Sequence, residues 1–154
     1  MDQSNLNFDS ARLFPMMALR GLTIFPGMMM NFEVERSGSI AALDRAMKDD
    51  QIIFLAGQKD IAVDVPDVED VYSIGTVCRI KQMMKQPGGK TVRVMVEGLE
   101  RGRVVTARRT VDGFEAIVEP LPDLAERNTA KSEALIRNCC NLFDDYIHAS
   151  GHLA

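Results

Sequence analysis

The chain has 154 residues, 46% of them hydrophobic and 26% charged, and a formal net charge of −4. That length suits one domain burying about two thirds of its unfolded surface, with room for a helical appendage. No run approaches the ~18 apolar residues of a membrane span, and the opening MDQSNLNFDSAR is polar and acidic where a secretory signal is basic and then apolar. A cytoplasmic protein without membrane contact is expected. Cys78, Cys139 and Cys140 are odd in number and lack CxxC spacing, which points to neither a disulfide framework nor a zinc site.

Residues 12–19 alternate weakly and lead through Arg20-Gly21 into the apolar run 22–25. Pro26-Gly27 then marks a turn, because Pro presets its own torsion and Gly accepts a positive φ. Residues 28–34 form a second extended segment. From Ser37 or Ser39 the period changes: Ile40, Leu43 and Met47 fall at i, i+3 and i+7, the pattern of an amphipathic helix of about three turns with a serine cap. The unbroken IIFLA of 52–56 predicts a strand buried on both faces, closed by Gly57. Residues 61–72 read as an acidic loop.

Residues 75–84 and 91–97 form the clearest unit, a hairpin whose turn is Lys85-Gln-Pro-Gly-Gly-Lys90. In its second strand Val92, Val94 and Val96 point one way, and Arg93, Met95 and Glu97 the other. A separate strand is expected over 104–109, and 114–118 follows the turn Asp112-Gly113. About six strands with one inserted helix imply a partly closed antiparallel barrel or sandwich. A helix over 128–149 completes the chain, with two adjacent apolar stripes: Leu135, Cys139, Leu142 and Tyr146 beside Ile136, Cys140, Phe143 and Ile147. So wide an apolar arc calls for more than one neighbour. The helix is therefore expected to begin a bundle whose other members lie outside this sequence, which makes the chain a fragment.

The chemistry-bearing motifs fail one by one. Gly89-Lys90-Thr91 imitates the end of a phosphate-binding loop, but Met84 stands where the first Gly is required and a valine-rich strand follows in place of a helix. His148 and His152 have the spacing of helical metal ligands, yet Ala149 stands where a metalloprotease carries its Glu. No serine adjoins a base, and Asp49 with Asp50 sits in turn context. The chain is expected to have no catalytic, metal or cofactor-binding residues of its own.

Charge and sulfur are distributed unevenly. Between Arg79 and Arg109 nine basic residues face two acidic ones, leaving −11 on the remainder. The stretch holds no aromatic residue for base stacking, so a solvated sheet face is favoured over nucleic-acid binding, which stays open as backbone contact alone. Met16, Met17, Met28, Met29, Met30, Met83, Met84 and Met95 lie in or beside the two strand-rich segments 15–36 and 75–103. Because strands alternate, Met28, Met29 and Met30 cannot all face one core. Flexible thioethers adapt to varied apolar partners, making Pro26, Met28, Met29, Met30, Met83 and Met84 candidates for contact with a polypeptide substrate.

Leu19-Arg-Gly-Leu-Thr-Ile-Phe-Pro-Gly27, then Ser39-Ile-Ala-Ala-Leu43, Gly75-Thr-Val and Val94-Met-Val-Glu-Gly-Leu-Glu-Arg101 resemble the N-terminal domain of the Lon family of ATP-dependent proteases. The resemblance covers residues 12–119 in the family's order. It implies a PUA-like β-rich domain over 12–120, after a flexible N-terminus of residues 1–11 and before the start of a helical bundle over 121–154. It also implies a parent chain with ATP, magnesium and a Ser-Lys dyad outside these residues, assembled as a homohexamer that degrades misfolded and short-lived regulatory proteins. The share of these residues would be recognition of unfolded or degron-bearing proteins, together with self-association, for which Leu135, Leu142, Phe143 and Ile147 are the candidates. The alternative is a stand-alone module of the same domain type that binds a small ligand, a peptide or RNA.

Overall fold

Alternating and unbroken apolar runs become six strands, β1 (Arg12–Leu19), β2 (Met29–Val34), β3 (Ile52–Gly57), β4 (Ile74–Lys85), β5 (Val92–Thr110) and β6 (Gly113–Pro120). Helix α1 (Ser37–Lys48) is inserted between β2 and β3, and α2 (Ala130–Ser150) follows the strands. The computed structural model describes residues 7–111, 113–125 and 127–151. Asp112, half of one expected turn, and His152 lie outside the described residues. The chain divides into two units, Met1–Pro122 and Asp123–Ala154.

In the first unit the strand order is β2-β5-β4-β3-β1-β6, and β6 pairs with β5 as well. The result is a partly closed ring, not a true barrel. The edge of β5 away from β4 is shared: residues 92–97 hold β2, and residues 102–110 hold β6. Every neighbouring pair is antiparallel except β1 and β3, which run parallel because β2 and α1 carry the chain back between them. The strand expected separately over 104–109 is instead the second half of β5, which continues unbroken past Gly98 and Gly102.

β3 explains its own composition. Ile53 and Leu55 join a core with Leu43, Val94 and Val96, while Ile52, Phe54 and Ala56 join a second core with Phe14, Val77 and Val118. Both faces are dry, so no polar residue interrupts the run. Phe8 belongs to the second core, its ring edge-on to Phe14 at 5.3 Å. Cys78 sits inside the first, where burial pushes its thiol up to about 12, while Cys139 and Cys140 are exposed. Helix α1 departs from expectation at its start. Arg36, not a serine, holds the cap position, and no side chain caps the helix. Arg36 instead donates to Gln58 Oε1 at 3.0 Å, and Gln58 Nε2 donates to the carbonyls of Asp60 and Val63. This tethers the 58–64 loop to the junction of β2 and α1.

Two contacts fix the strands of the first unit. The first is a clasp between the Pro26-Gly27 turn and β5. Met28 N–H donates to the Phe25 carbonyl at 3.1 Å, and Gly27 has φ 82°, a torsion that suits glycine at the third position of this turn. Gly98 then bonds both sides of the turn's exit: Gly27 N–H donates to the Gly98 carbonyl and Gly98 N–H to the Met28 carbonyl, each at 2.8 Å. A Cβ on Gly98 would lie 2.3 Å from the Phe25 oxygen. The second contact is Glu115 on β6, which is buried and accepts from Arg45 of α1 at 2.5 Å and from Arg108 of β5. The Arg45 hydrogen bond is the largest influence holding the Glu115 carboxyl below its ordinary value; burial opposes it and Arg108 adds to it.

The second unit is helix α2. Thr129 and Ser132 cap it reciprocally, each side chain meeting the other's backbone N–H, and Gly151 ends it in the left-handed conformation with φ 61°. Leu135, Ile136, Leu142, Phe143 and Tyr146 are exposed, Ile147 is half-buried, and the Phe143 and Tyr146 rings stack at 6.4 Å.

Gly98→Ala should therefore destabilise the first unit by about 1–3 kcal/mol through overpacking, seen as a lower urea midpoint with an unchanged slope. Glu115 gives a pH signature. A carboxyl held below its unfolded value contributes stability that is fully present above the unfolded value and lost as pH falls through the folded one. Urea midpoints measured from pH 7 downward should fall on the acid side in the wild type, whereas Glu115→Gln should start about 2 kcal/mol less stable at pH 7 and fall less steeply.

Candidate functional site

The strands β2, β5 and β4 form a three-stranded flap whose two faces differ in chemistry. Register sorts the residues. Met30, Val96 and Ile80 lie in one row, and Phe32, Val94 and Met83 in another; these side chains face the first core. On the outer face the rows are Met29-Glu97-Arg79, Asn31-Met95-Gln82 and Glu33-Arg93-Met84. Met29, Met95 and Met84 therefore run diagonally across three strands, with neighbouring Cα atoms about 7–8 Å apart. Met29 is 55% exposed, Met84 is 46% exposed and Met95 is half-buried. Ion pairs stand on either side of the diagonal: Lys81 with Glu97 and Arg93 with Glu33, both at 2.8 Å.

A bulge creates this diagonal. The β4–β5 register shifts between Ile80 and Gln82, so that Met83 lies opposite Val94 and Met84 opposite Arg93. Without the extra residue, strict alternation would place Met84 beside Ile80 on the core face and Met83 outside. The bulge turns Met84 out.

The six residues singled out as substrate contacts are thus divided. Met29 and Met84 stand on the outer face. Met30 and Met83 pack against the core from partly buried positions. Met28 does the same, and its sulfur accepts the Phe25 N–H at 3.3 Å, so this thioether belongs to the turn. Pro26 is half-buried at the turn's corner.

The structure adds residues that no local pattern singles out. Met95 lies at the middle of the diagonal. Phe25, 54% exposed, stands at the turn beside its upper end. The 61–72 stretch, read as acidic loop, contributes Ile61 and Tyr72, which with Leu22 and Ile74 line a cleft of about 340 Å³ at the end of the ring. Among the four, Ile61, Tyr72 and Ile74 are exposed. Short apolar residues spaced by Asp and Pro carry no periodicity, so only the fold brings them together. A second cleft, of about 530 Å³, is mixed, with Arg36, Asp64 and Arg109 beside Val65, Pro66 and Phe114 on its walls.

The basic stretch of β4 and β5 is largely paired. Lys81, Lys85, Arg93, Arg103, Arg108 and Arg109 each meet a carboxylate: Glu97, Asp44, Glu33, Glu119, Glu115 and Asp67. This leaves less free positive charge than the sequence count suggests. The Gly89-Lys90-Thr91 loop joins two antiparallel strands and precedes no helix. His148 Nδ1 lies 2.7 Å from the Asp144 carbonyl, one turn back on α2. No helix among the described residues is long and apolar enough to cross a membrane.

Residues 14–154 match the model of the ATP-dependent protease La (LON) substrate-binding domain. The chain is 40% identical to a Lon protease of Clostridioides difficile over 158 aligned residues, covering all of this chain and 20% of that protein. It is 39% identical to Lon protease 1 of Bacillus subtilis, covering 90% of this chain and 18% of that protein. It thus spans about a fifth of these curated relatives. Among solved structures, the N-terminal domain of Mycobacterium avium complex Lon protease superposes with a TM-score of 0.71 at 18% identity, over 91% of this chain and 70% of that one. The Lon N-terminal domain protein from Xanthomonas campestris gives 0.59 at 16% identity, over 78% of this chain and 66% of that one. Both share the fold of the six-stranded ring, and the match over residues 14–154 places this chain in the family of Lon substrate-binding domains.

Proposed function

We propose that this domain captures unfolded or degron-bearing polypeptides for an ATP-dependent serine protease of the Lon type, working in the cytoplasm as a homohexamer. ATP and magnesium chemistry and the Ser-Lys dyad belong to residues other than these, and the domain's own contribution is binding. The observation that carries the reading is the diagonal of Met29, Met95 and Met84 on the outer face of the flap. Thioethers are flexible and polarizable, so they accommodate apolar side chains of many shapes without demanding one sequence. Flanking ion pairs keep the surface soluble while it is empty. Each site binds weakly, and six copies in one assembly would supply avidity.

A reduced, carboxymethylated and labelled protein titrated against the chain tests this. The double variant Met29→Ser/Met84→Ser should bind about tenfold more weakly, because each partly buried thioether contributes on the order of 1 kcal/mol or less. Val105→Ser, which removes an exposed side chain from the other half of β5, should bind as the wild type does. Equal binding by all three would remove the diagonal from the function.

The exposed stripe of α2 supports a second element of the same proposal, self-association through Leu135, Leu142, Phe143 and Ile147. An apolar patch of that width is seldom left in water. Sedimentation at increasing concentration should show dimers or larger species for the wild type and monomer for Leu142→Glu/Phe143→Glu. A wild type that stays monomeric throughout would refute it.

A further inference from the structure

We propose that the free edge of β2 receives an extended segment of the unfolded polypeptide as an added strand. The inference rests on the reading of the domain as a substrate binder and specifies how it grips. β2 pairs with β5 on one side, and among the described residues no strand lies on the other. Because Gly98 N–H donates to the Met28 carbonyl, that carbonyl faces β5, while the Met28 N–H is held inside the turn by the Phe25 carbonyl. Alternation then turns the N–H and C=O groups of Met29, Asn31 and Glu33 away from β5, toward the open side. All three residues are exposed.

Protein edges of this kind are ordinarily guarded by Pro, Lys or an unpaired charge. The β2 sequence MMNFEV has neither Pro nor Lys, and its one carboxylate, Glu33, is held across the ladder by Arg93 at 2.8 Å. The open edge offers donors and acceptors in the spacing of a strand. A helix has its own backbone groups satisfied and a folded sheet has its strands paired, so the complementary partner is a polypeptide segment lacking structure of its own. Side chains of an added strand alternate. One set would lie beside Met29 at the end of the methionine diagonal. The other would turn toward a cleft of about 270 Å³ that opens between the second half of β2 and the end of β1, where Leu19, Leu22 and Phe32 form the apolar part of the wall. Main-chain bonds would give affinity independent of sequence, and the cleft would favour apolar residues at every second position.

The probe is a short labelled peptide with leucine at alternate positions and serine between, compared with two versions N-methylated at alternate residues in opposite phases. Methylation in one phase should weaken binding about 30-fold by removing two or three edge hydrogen bonds, and in the other phase by less than about threefold. Asn31→Pro removes one edge donor while leaving the β5 ladder intact, and should weaken binding of the unmethylated peptide; Asn31→Ala should not. Both phases weakening alike, or neither, overturns the added strand. If they do so while Met29→Ser/Met84→Ser still weakens binding, only the docking mode fails; if that variant is also silent, the reading beneath it fails too. Loss of self-association in Asn31→Pro with peptide binding intact would show the edge to pair with a second copy, and would likewise overturn the proposal.

Discussion

The close approach of Phe25 to Gly98 organises the outer face of the flap. With hydrogen on the α-carbon at this point of β5, the Phe25-Pro26-Gly27 turn can lie against the strand and exchange two 2.8 Å hydrogen bonds with it. Those bonds define which residue of β2 opposes which of β5, and so which side chains face the core. A one-residue slip would exchange the two faces, sending Met30 and Phe32 outward and Met29 inward. Thr76 Oγ1 reinforces the arrangement by donating to the Ile24 carbonyl at 2.6 Å, which ties the approach to the turn to β4. Two segments distant in sequence, FPG and VEGLER, are thus halves of one contact.

The proposed function rests on what the clasp leaves exposed. The same strands that bury Val92, Val94 and Val96 on one face present three methionines on the other, between ion pairs that neutralise much of the basic charge concentrated in β4 and β5. A rigid sheet with adaptable side chains suits a partner that has no fixed shape, and the chain matches the Lon substrate-binding domain over residues 14–154. The opposite corner of the unit is built for rigidity: Glu115 holds α1 and β5 together through Arg45 and Arg108. A buried carboxylate gripped by two guanidinium groups is strongly coupled to its geometry, because without them its charge would be buried and uncompensated.

Much of the fold was legible from short-range patterns. The double burial of β3, the alternation of VRVMVE and the turn at Pro26-Gly27 each follow from local chemistry, and each is present. What local patterns missed depends on distant partners. Local patterns give two strands, 91–97 and 104–109, where β5 runs unbroken, because Gly98 and Gly102 admit neighbours that press on the strand. Arg36 holds the cap position of α1, and its side chain reaches Gln58, a partner distant in sequence. For the methionines, alternation said that Met28, Met29 and Met30 could not share a face, and it could not say which one pointed out. The bulge after Ile80 decided Met83 against Met84, and Met95 entered the diagonal only through the registers of two neighbouring strands. Ile61, Tyr72 and Ile74 carried no periodic signal at all.

Methionine methyl NMR tests the central claim most directly, because the chain holds ten methionines spread over core and surface. On titration with an unfolded protein, the methyl resonances of Met29, Met84 and Met95 should shift or broaden together, while those of Met16 and Met17, each 2% exposed in the two cores, should stay in place. Perturbation that spares the diagonal, or that spreads equally to Met16 and Met17, would contradict an account in which the outer face of the flap is the surface that holds the substrate.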